Sequence, residues 1–236
     1  MRTATKLALG LLRGRGGGGD GPSDLYTYLV SWWACEEDGG TRADSHDTNH
    51  LTTPGTVART AGQVGYGARP SHGGGMSYLS VASNAALQPG AGLWALCGWM
   101  VDEGGGGNRI LCGKADEWQL QKTNASTHKF FFGDAIVTST TWTTTGGWRF
   151  VCLWSDGASI YISVDNQAVP DSAPLTTPPA ATANPLGFGY GALGMGNLCI
   201  DEIAIWKDYA PSAAERAWLY NAGVGRSYAN LVAAYG

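Results

Sequence analysis

Apolar positions along this chain recur mostly with the period of two that marks a strand rather than with the period of a helix. Between residues 200 and 206, Ile200, Glu202, Ala204 and Trp206 alternate with Asp201, Ile203 and Ile205. Opposite parities face opposite sides of a sheet, so both faces of this strand are expected to be partly covered. Residues 94–101 (WALCGWMV) are apolar over a strand's length, which predicts a central strand buried on both faces. Its partners are expected among 109–112, 117–121 and 129–132, which are spaced like a meander. The aromatic and β-branched run 25–34 (LYTYLVSWWA) predicts a long first strand, and 76–81 a further alternating one. Residues 148–154 and 159–164 read as two strands joined at Ser155-Asp156-Gly157-Ala158, whose Asp-Gly pair predicts a hairpin turn.

Between these runs lie a polar loop at 36–50 and a Pro-rich loop at 169–185, after which strand-like sequence resumes at Leu186. Beyond the 198–206 strand, Ser212 and Glu215 have the spacing of a capping box. The hydroxyl can accept from the third helical N–H while the carboxylate reaches back. Asn221 and Gly223 can supply the left-handed residue that ends such a helix. No solenoid repeat appears. The pattern predicts an all-β sandwich with one short C-terminal helix.

A chain of 236 residues suits a single sandwich domain. Hydrophobic residues at 44%, with 10 Trp and 10 Tyr against 14% charged residues, are enough to fill its interior. The 36 glycines and 10 prolines fit a fold of many turns. A net charge of −4 argues against a phosphate-binding surface, so nucleic acid is not an expected partner. Cys35, Cys97, Cys112, Cys152 and Cys199 fall singly in apolar runs, in no Cys-x-x-Cys spacing. They read as small buried hydrophobes in a chain that folds in a reducing cytoplasm.

The N-terminus is different in kind. Its apolar run, Leu7-Ala8-Leu9-Gly10-Leu11-Leu12, is too short for a membrane span of roughly 20 residues, and no membrane partner is expected. Arg13, Arg15 and the glycines 16–19 follow at once with no small-x-small cleavage site, which argues against a secretion signal. Residues 1–13 read as an arm and 14–22 as a flexible linker, with the folded domain at 23–236. An arm that gains little by folding alone can order itself on a partner, and Leu7, Leu9, Leu11, Leu12, Arg13 and Arg15 are its candidate contacts. A disordered tail of no consequence accounts for the same residues.

YLVSWWACEEDGGTRADSHDTNHL (28–51), GGWRFVCLWSDGASIYISVDNQAV (146–169) and residues 200–223 occur in the order and spacing of concanavalin A-like laminin G domains, and over residues 25–225 the chain resembles that family. It departs from the family pattern at Cys35 and Asn166. The resemblance implies a jelly-roll sandwich of two antiparallel sheets, used for binding glycans or proteins or as a virion module. A bare sandwich behind a short Arg/Leu/Gly-rich arm further resembles proteins of tailed bacteriophages. This implies a non-enzymatic virion protein made in the host cytoplasm and anchored to capsid or tail proteins through residues 1–19. Virion sites of local three- or fivefold symmetry would favour a homo-oligomer.

The alternative is an adhesion module for surface glycans. Sugar rings stack on exposed aromatic side chains, and Trp118, Trp142 and Tyr190 lie in less apolar surroundings than Trp99 or Trp154. Trp142 stands out among the hydroxyls of 138–145, although most tryptophans are core residues. No catalytic residue is expected. Asp116 with Glu117, and Asp201 with Glu202, are adjacent and should diverge on a strand, whereas glycoside hydrolysis needs carboxylates facing across a cleft. His46, His50, His72 and His128 fall in polar, loop-like sequence. Laminin G-like sandwiches often hold calcium, so the resemblance makes a structural calcium ion the one cofactor to consider. Its candidate ligands are Glu37, Asp38, Asp44 and Asp201, with Asp47 nearby, and solvated loop acids are the simpler account of them.

Overall fold

The computed structural model describes residues 24–70, 77–104, 107–124, 126–189 and 197–236. Among them, every strand pair is antiparallel and the strands form two sheets. The first sheet runs β12 (Asp171–Pro174), β11 (Ser159–Val164), β10 (Arg149–Ser155), β5 (Trp94–Asp102), β14 (Leu198–Lys207), β3 (Tyr66–Pro70), β2 (Val57–Ala61), with β1 (Leu29–Trp33) also paired to β14. The second runs β4 (Leu79–Val81), β13 (Leu186–Phe188), β6 (Arg109–Lys114), β7 (Trp118–Asn124), β8 (Thr127–Phe132), β9 (Ala135–Thr138). The expected two-sheet sandwich is therefore present. The 109–132 meander exists but lies in the sheet opposite β5, whose actual partners are β10 and β14. Sequence spacing identifies a meander and is blind to which layer it joins.

The apolar run of β5 is explained by its two faces. Trp94, Leu96 and Met100 enter the core between the sheets, while Ala95, Cys97 and Trp99 join a second cluster on the outer face. That outer cluster is roofed by α2 (Ala213–Tyr220) and α3 (Tyr228–Tyr235), which contribute Leu219 and Leu231, and by the short α1 (Asp24–Thr27), which contributes Leu25. The capping box of Ser212 and Glu215 is formed, and Asn221 ends α2 in the left-handed region. The second helix after it, α3, carries its own box from Ser227 and Asn230.

The predicted long first strand is shortened. Residues 24–27 form a helical turn in which the Tyr28 N–H donates to the Asp24 carbonyl at 3.1 Å. This turn drops Leu25 into the outer cluster and aims its carbonyl at the Trp206 indole N–H, 2.7 Å away. A tertiary contact outweighs the strand preference of LYTY. No described helix is long and apolar enough to cross a membrane.

Candidate functional site

The two sheets differ in what covers them. The outer face of the eight-stranded sheet lies under the helices, whereas the six-stranded sheet carries a row of outward positions across β7, β8 and β9. There Gln119 pairs with Phe131, and Phe131 with Ile136, each alternating with buried Trp118, Leu120, Phe130, Phe132, Ala135 and Val137. Ile136 is 51% exposed.

At the end of this row the β6–β7 and β8–β9 turns stand side by side, joined by the Gly133 N–H donating to the Glu117 carbonyl at 3.0 Å. The Pro-rich loop crosses both. Asp134 accepts from the Thr177 N–H at 2.9 Å, and the Thr182 N–H donates to Glu117 Oε1 at 2.6 Å. Gly133 is required there, because a Cβ would come within 2.1 Å of the Thr177 carbonyl oxygen. Asp116, Glu117, Trp118, Gln119, Phe131 and Gly133 line a groove of about 180 Å³. Pockets that enclose a drug-sized ligand run to ~300–1,000 Å³, so this one holds a single ring or chain end rather than a whole molecule.

The Glu117 carboxylate is enclosed beneath the groove and ties its turns together. Its Oε1 takes the Lys114 ammonium and both the N–H and the hydroxyl of Thr182, while Lys114 also reaches the Thr182 carbonyl at 2.8 Å. Its Oε2 is buried and has no hydrogen-bond partner among the described residues, and the same holds for the Trp118 indole N–H. Both atoms are enclosed in the folded protein, where an unmet polar group costs on the order of 1–3 kcal/mol, more for a charged one. Asp116, in the left-handed region with φ 64°, points an exposed carboxylate beside them and is steadied by the Asn184 amide at 3.1 Å. Ring face, amide and the Asp116 carboxylate together can hold a polyhydroxylated ligand.

The other candidates fall elsewhere. Trp142 is 1% exposed and stacks on His128 with ring centroids 4.0 Å apart, so it offers no face to a sugar. His128 is not in a loop but buried in β8, with one ring nitrogen 2.8 Å from the Trp142 carbonyl and the other 3.0 Å from Asp102. Trp118 is 2% exposed and packed on Trp94, so it forms part of the groove's wall rather than a free-standing platform. Tyr190 and the arm residues Leu7, Leu9, Leu11, Leu12, Arg13 and Arg15 lie outside the described residues.

The four calcium candidates are drawn to separate tasks. Glu37 accepts from the Ala43 N–H at 2.6 Å, and Asp38 pairs with Arg59 at 2.7 Å. Asp44 accepts from the N–H groups of Trp32, His46 and Asn49, and Asp201 from those of Gln63 and Val64. Among the described residues no group of three His, Cys, Asp or Glu side chains is arranged to hold a metal ion. Gln119 and Phe131 were missed in the sequence. The alternation of 118–121 marks Gln119 as outward, but its meeting with Phe131 depends on the register of β7 against β8.

No protein-family model matches the chain, and no curated protein matches it in sequence. Solved structures do match in shape. The binding domain of Paraclostridial Mosquitocidal Protein 1 superposes with a TM-score of 0.69 at 14% identity, over 84% of this chain and 53% of that one. The binding domain of Botulinum Neurotoxin DC in complex with SialylT gives 0.65 at 10% identity, over 84% and 52%. A Trypanosoma rangeli sialidase in complex with the inhibitor DANA gives 0.61 at 17% identity, over 84% and 34%. The chain spans about half the length of the toxin domains and a third of the sialidase. Identities this low establish a shared β-sandwich fold.

Proposed function

We propose that this sandwich is a non-enzymatic recognition module that binds carbohydrate in the groove between the β6–β7 and β8–β9 turns. The observation that carries the reading is the exposed Asp116 carboxylate beside the part-exposed Phe131 and Gln119 side chains in one groove. It is supported by the fold's likeness to toxin binding domains, one of them in complex with SialylT. The sialidase likeness spans only 34% of that enzyme. Glu117, enclosed and fastened by Lys114 and Thr182, is out of reach for the proton transfer a glycosidase acid must perform. A glycan array followed by titration of the retained sugars tests it. Binding that is lost in Phe131→Ala and Gln119→Ala with the melting temperature preserved is the expected result; absence of binding to any sugar at millimolar concentration would end this reading.

A second reading rests on the sequence of the arm. A Leu-rich segment followed by glycines would attach the sandwich to a phage capsid or tail and display it on the virion. Deleting residues 1–19 should abolish incorporation into particles and leave the sandwich folded; normal occupancy of the truncated protein would exclude it.

A further inference from the structure

We infer that Cys97 and Cys152 form a redox-convertible site, two thiols in a reducing compartment that close to a cross-strand disulfide when a hydroperoxide reaches them. The register brings them together. Cys97 on β5 lies directly opposite Cys152 on β10, and both side chains join the outer cluster beneath the helices. The Phe150 carbonyl accepts from the Asp165 N–H at 2.8 Å, so the even-numbered residues of β10 turn their backbone groups toward β11 and away from β5. Cys97 and Cys152 are therefore a non-hydrogen-bonded pair, the kind whose Cα atoms come to about 4.5 Å and whose side chains approach most closely. A disulfide spans Cα separations of about 4.4–6.8 Å, so the two can be bridged with little movement of either strand. Near the short end of that range the bond is also readily reduced, which makes the conversion reversible. The other cysteines are placed differently. Cys112 stands against Leu120 and Phe188, Cys199 against Val101, and Cys35 lies beyond the end of β1.

The surroundings give the chemistry an order. A cavity of about 10 Å³, the room of one water-sized molecule, is lined by Cys97 together with Trp99, Glu202 and Arg226, and Cys152 is not part of its wall. Cys97 is the sulfur that an oxidant meets, and the size of the cavity admits a hydroperoxide oxygen while excluding a bulky thiol reagent. The Cys97 sulfur attacks one peroxide oxygen and the O–O bond breaks. Cys97 becomes a sulfenic acid, and the other oxygen leaves with the thiol proton as water or an alcohol. The Cys152 sulfur then attacks Cys97, so that S–S forms, S–O breaks and hydroxide departs with the Cys152 proton as water. Two thiols lose two electrons and one peroxide gains them. Burial and a hydrogen bond to Cys97 raise the Cys152 thiol well above its ordinary range, so its proton is still in place when the sulfenic acid forms. Burial keeps the first step slow, on the order of hours, whereas the second is intramolecular between facing sulfurs.

The test incubates the full chain with millimolar hydrogen peroxide, then alkylates it in denaturant and maps its peptides by mass spectrometry. Free thiols should fall from five to three, with the Cys97 and Cys152 peptides joined, and dithiothreitol should part them again. Cys152→Ala should leave a sulfenic acid at Cys97 that dimedone traps, and Cys97→Ala should protect Cys152 from oxidation. Five thiols surviving prolonged exposure of the wild-type chain would overturn the proposal. So would a cross-link that omits either residue, or sulfinic acid at Cys97 with no cross-link at all.

Discussion

Asp201 and Glu202 are consecutive residues of β14 that leave the strand on the same side. The register against β5 slips between Asp201, opposite Trp99, and Ala204, opposite Cys97, so two residues of β14 face the one position of Gly98. Glu202 takes φ 48° to make this β-bulge. Ile200, Ile203 and Ile205 thereby keep their places between the sheets, while both acids are carried beneath the helical roof. Asp201 caps the N–H groups of Gln63 and Val64. Glu202 accepts from the Trp32 indole and the Tyr228 N–H, tying β14 to β1 and to the start of α3.

Stability should consequently fall as pH rises. Burial pushes Asp201 up to about 7 and Glu202 up to about 8, with repulsion from Glu36 adding to both and repulsion from Asp201 adding to Glu202. Between the ordinary carboxylate range and these values the folded protein holds protons that the unfolded chain has released, so their stabilising contribution fades from about pH 4 to about pH 8. Asp102, held low, acts in the opposite sense and only in acid. The melting temperature should drop between pH 5 and pH 9, and Glu202→Gln, which can still accept from Trp32, should flatten the slope. An identical slope in the variant would refute the assignment.

The bulge also sets a requirement on its partner strand. A Cβ at position 98 would sit 2.5 Å from Ile203 Cδ1, 2.8 Å from its Cα and 2.9 Å from the Glu202 carbonyl oxygen. Gly98→Ala should cost about 1–3 kcal/mol in denaturant unfolding, the usual range for overpacking. Gly92→Ala, whose Cβ would meet Asp208 at 3.7 Å, should cost far less. Equal effects would mean that β5 yields at Gly98 without strain.

Much of this architecture is readable in the chain. The run WALCGWMV announces burial on two faces, and the Ser212–Glu215 box announces α2. The bulge leaves no such mark. A period of two carries no record of one inserted residue, and simple alternation sends Asp201 and Glu202 to opposite faces. Trp142 shows the same limit for a site: its covering ring, His128, is fourteen residues away and arrives only through tertiary packing. The groove needs three separate segments, 116–119, 131–133 and 176–184, to converge, and no local pattern encodes that meeting.

Five cysteines without a disulfide yield a prediction about reactivity. All are buried, and Cys97 and Cys152 stand opposite each other on β5 and β10 beneath the helices. Burial raises the thiols of Cys35, Cys112 and Cys152, and lifts Cys199 to about 12 with help from Glu103. Reaction with a thiol reagent at pH 8 should be negligible in the native state and should reach five thiols in denaturant. Rapid native labelling at any site would contradict the packing.

Two neighbouring acids, Asp102 and Glu103, provide the sharpest test of burial as the arbiter of ionic energetics. Asp102 is fully enclosed, 3.0 Å from both Lys122 and His128, themselves buried, and it also accepts from the Gly104 N–H at 2.9 Å. Removing it strands a buried ammonium and an imidazole nitrogen, so Asp102→Ala should cost about 3–5 kcal/mol. Glu103 makes a geometrically good pair with Arg69 at 2.8 Å, but the Arg69 side chain is 53% exposed. Water screens that pair, and Glu103→Ala should change stability by no more than about 1 kcal/mol. Paired denaturant titrations decide it: comparable losses in the two variants would show that the Asp102 cluster is hydrated in solution and that the sandwich is open at that end.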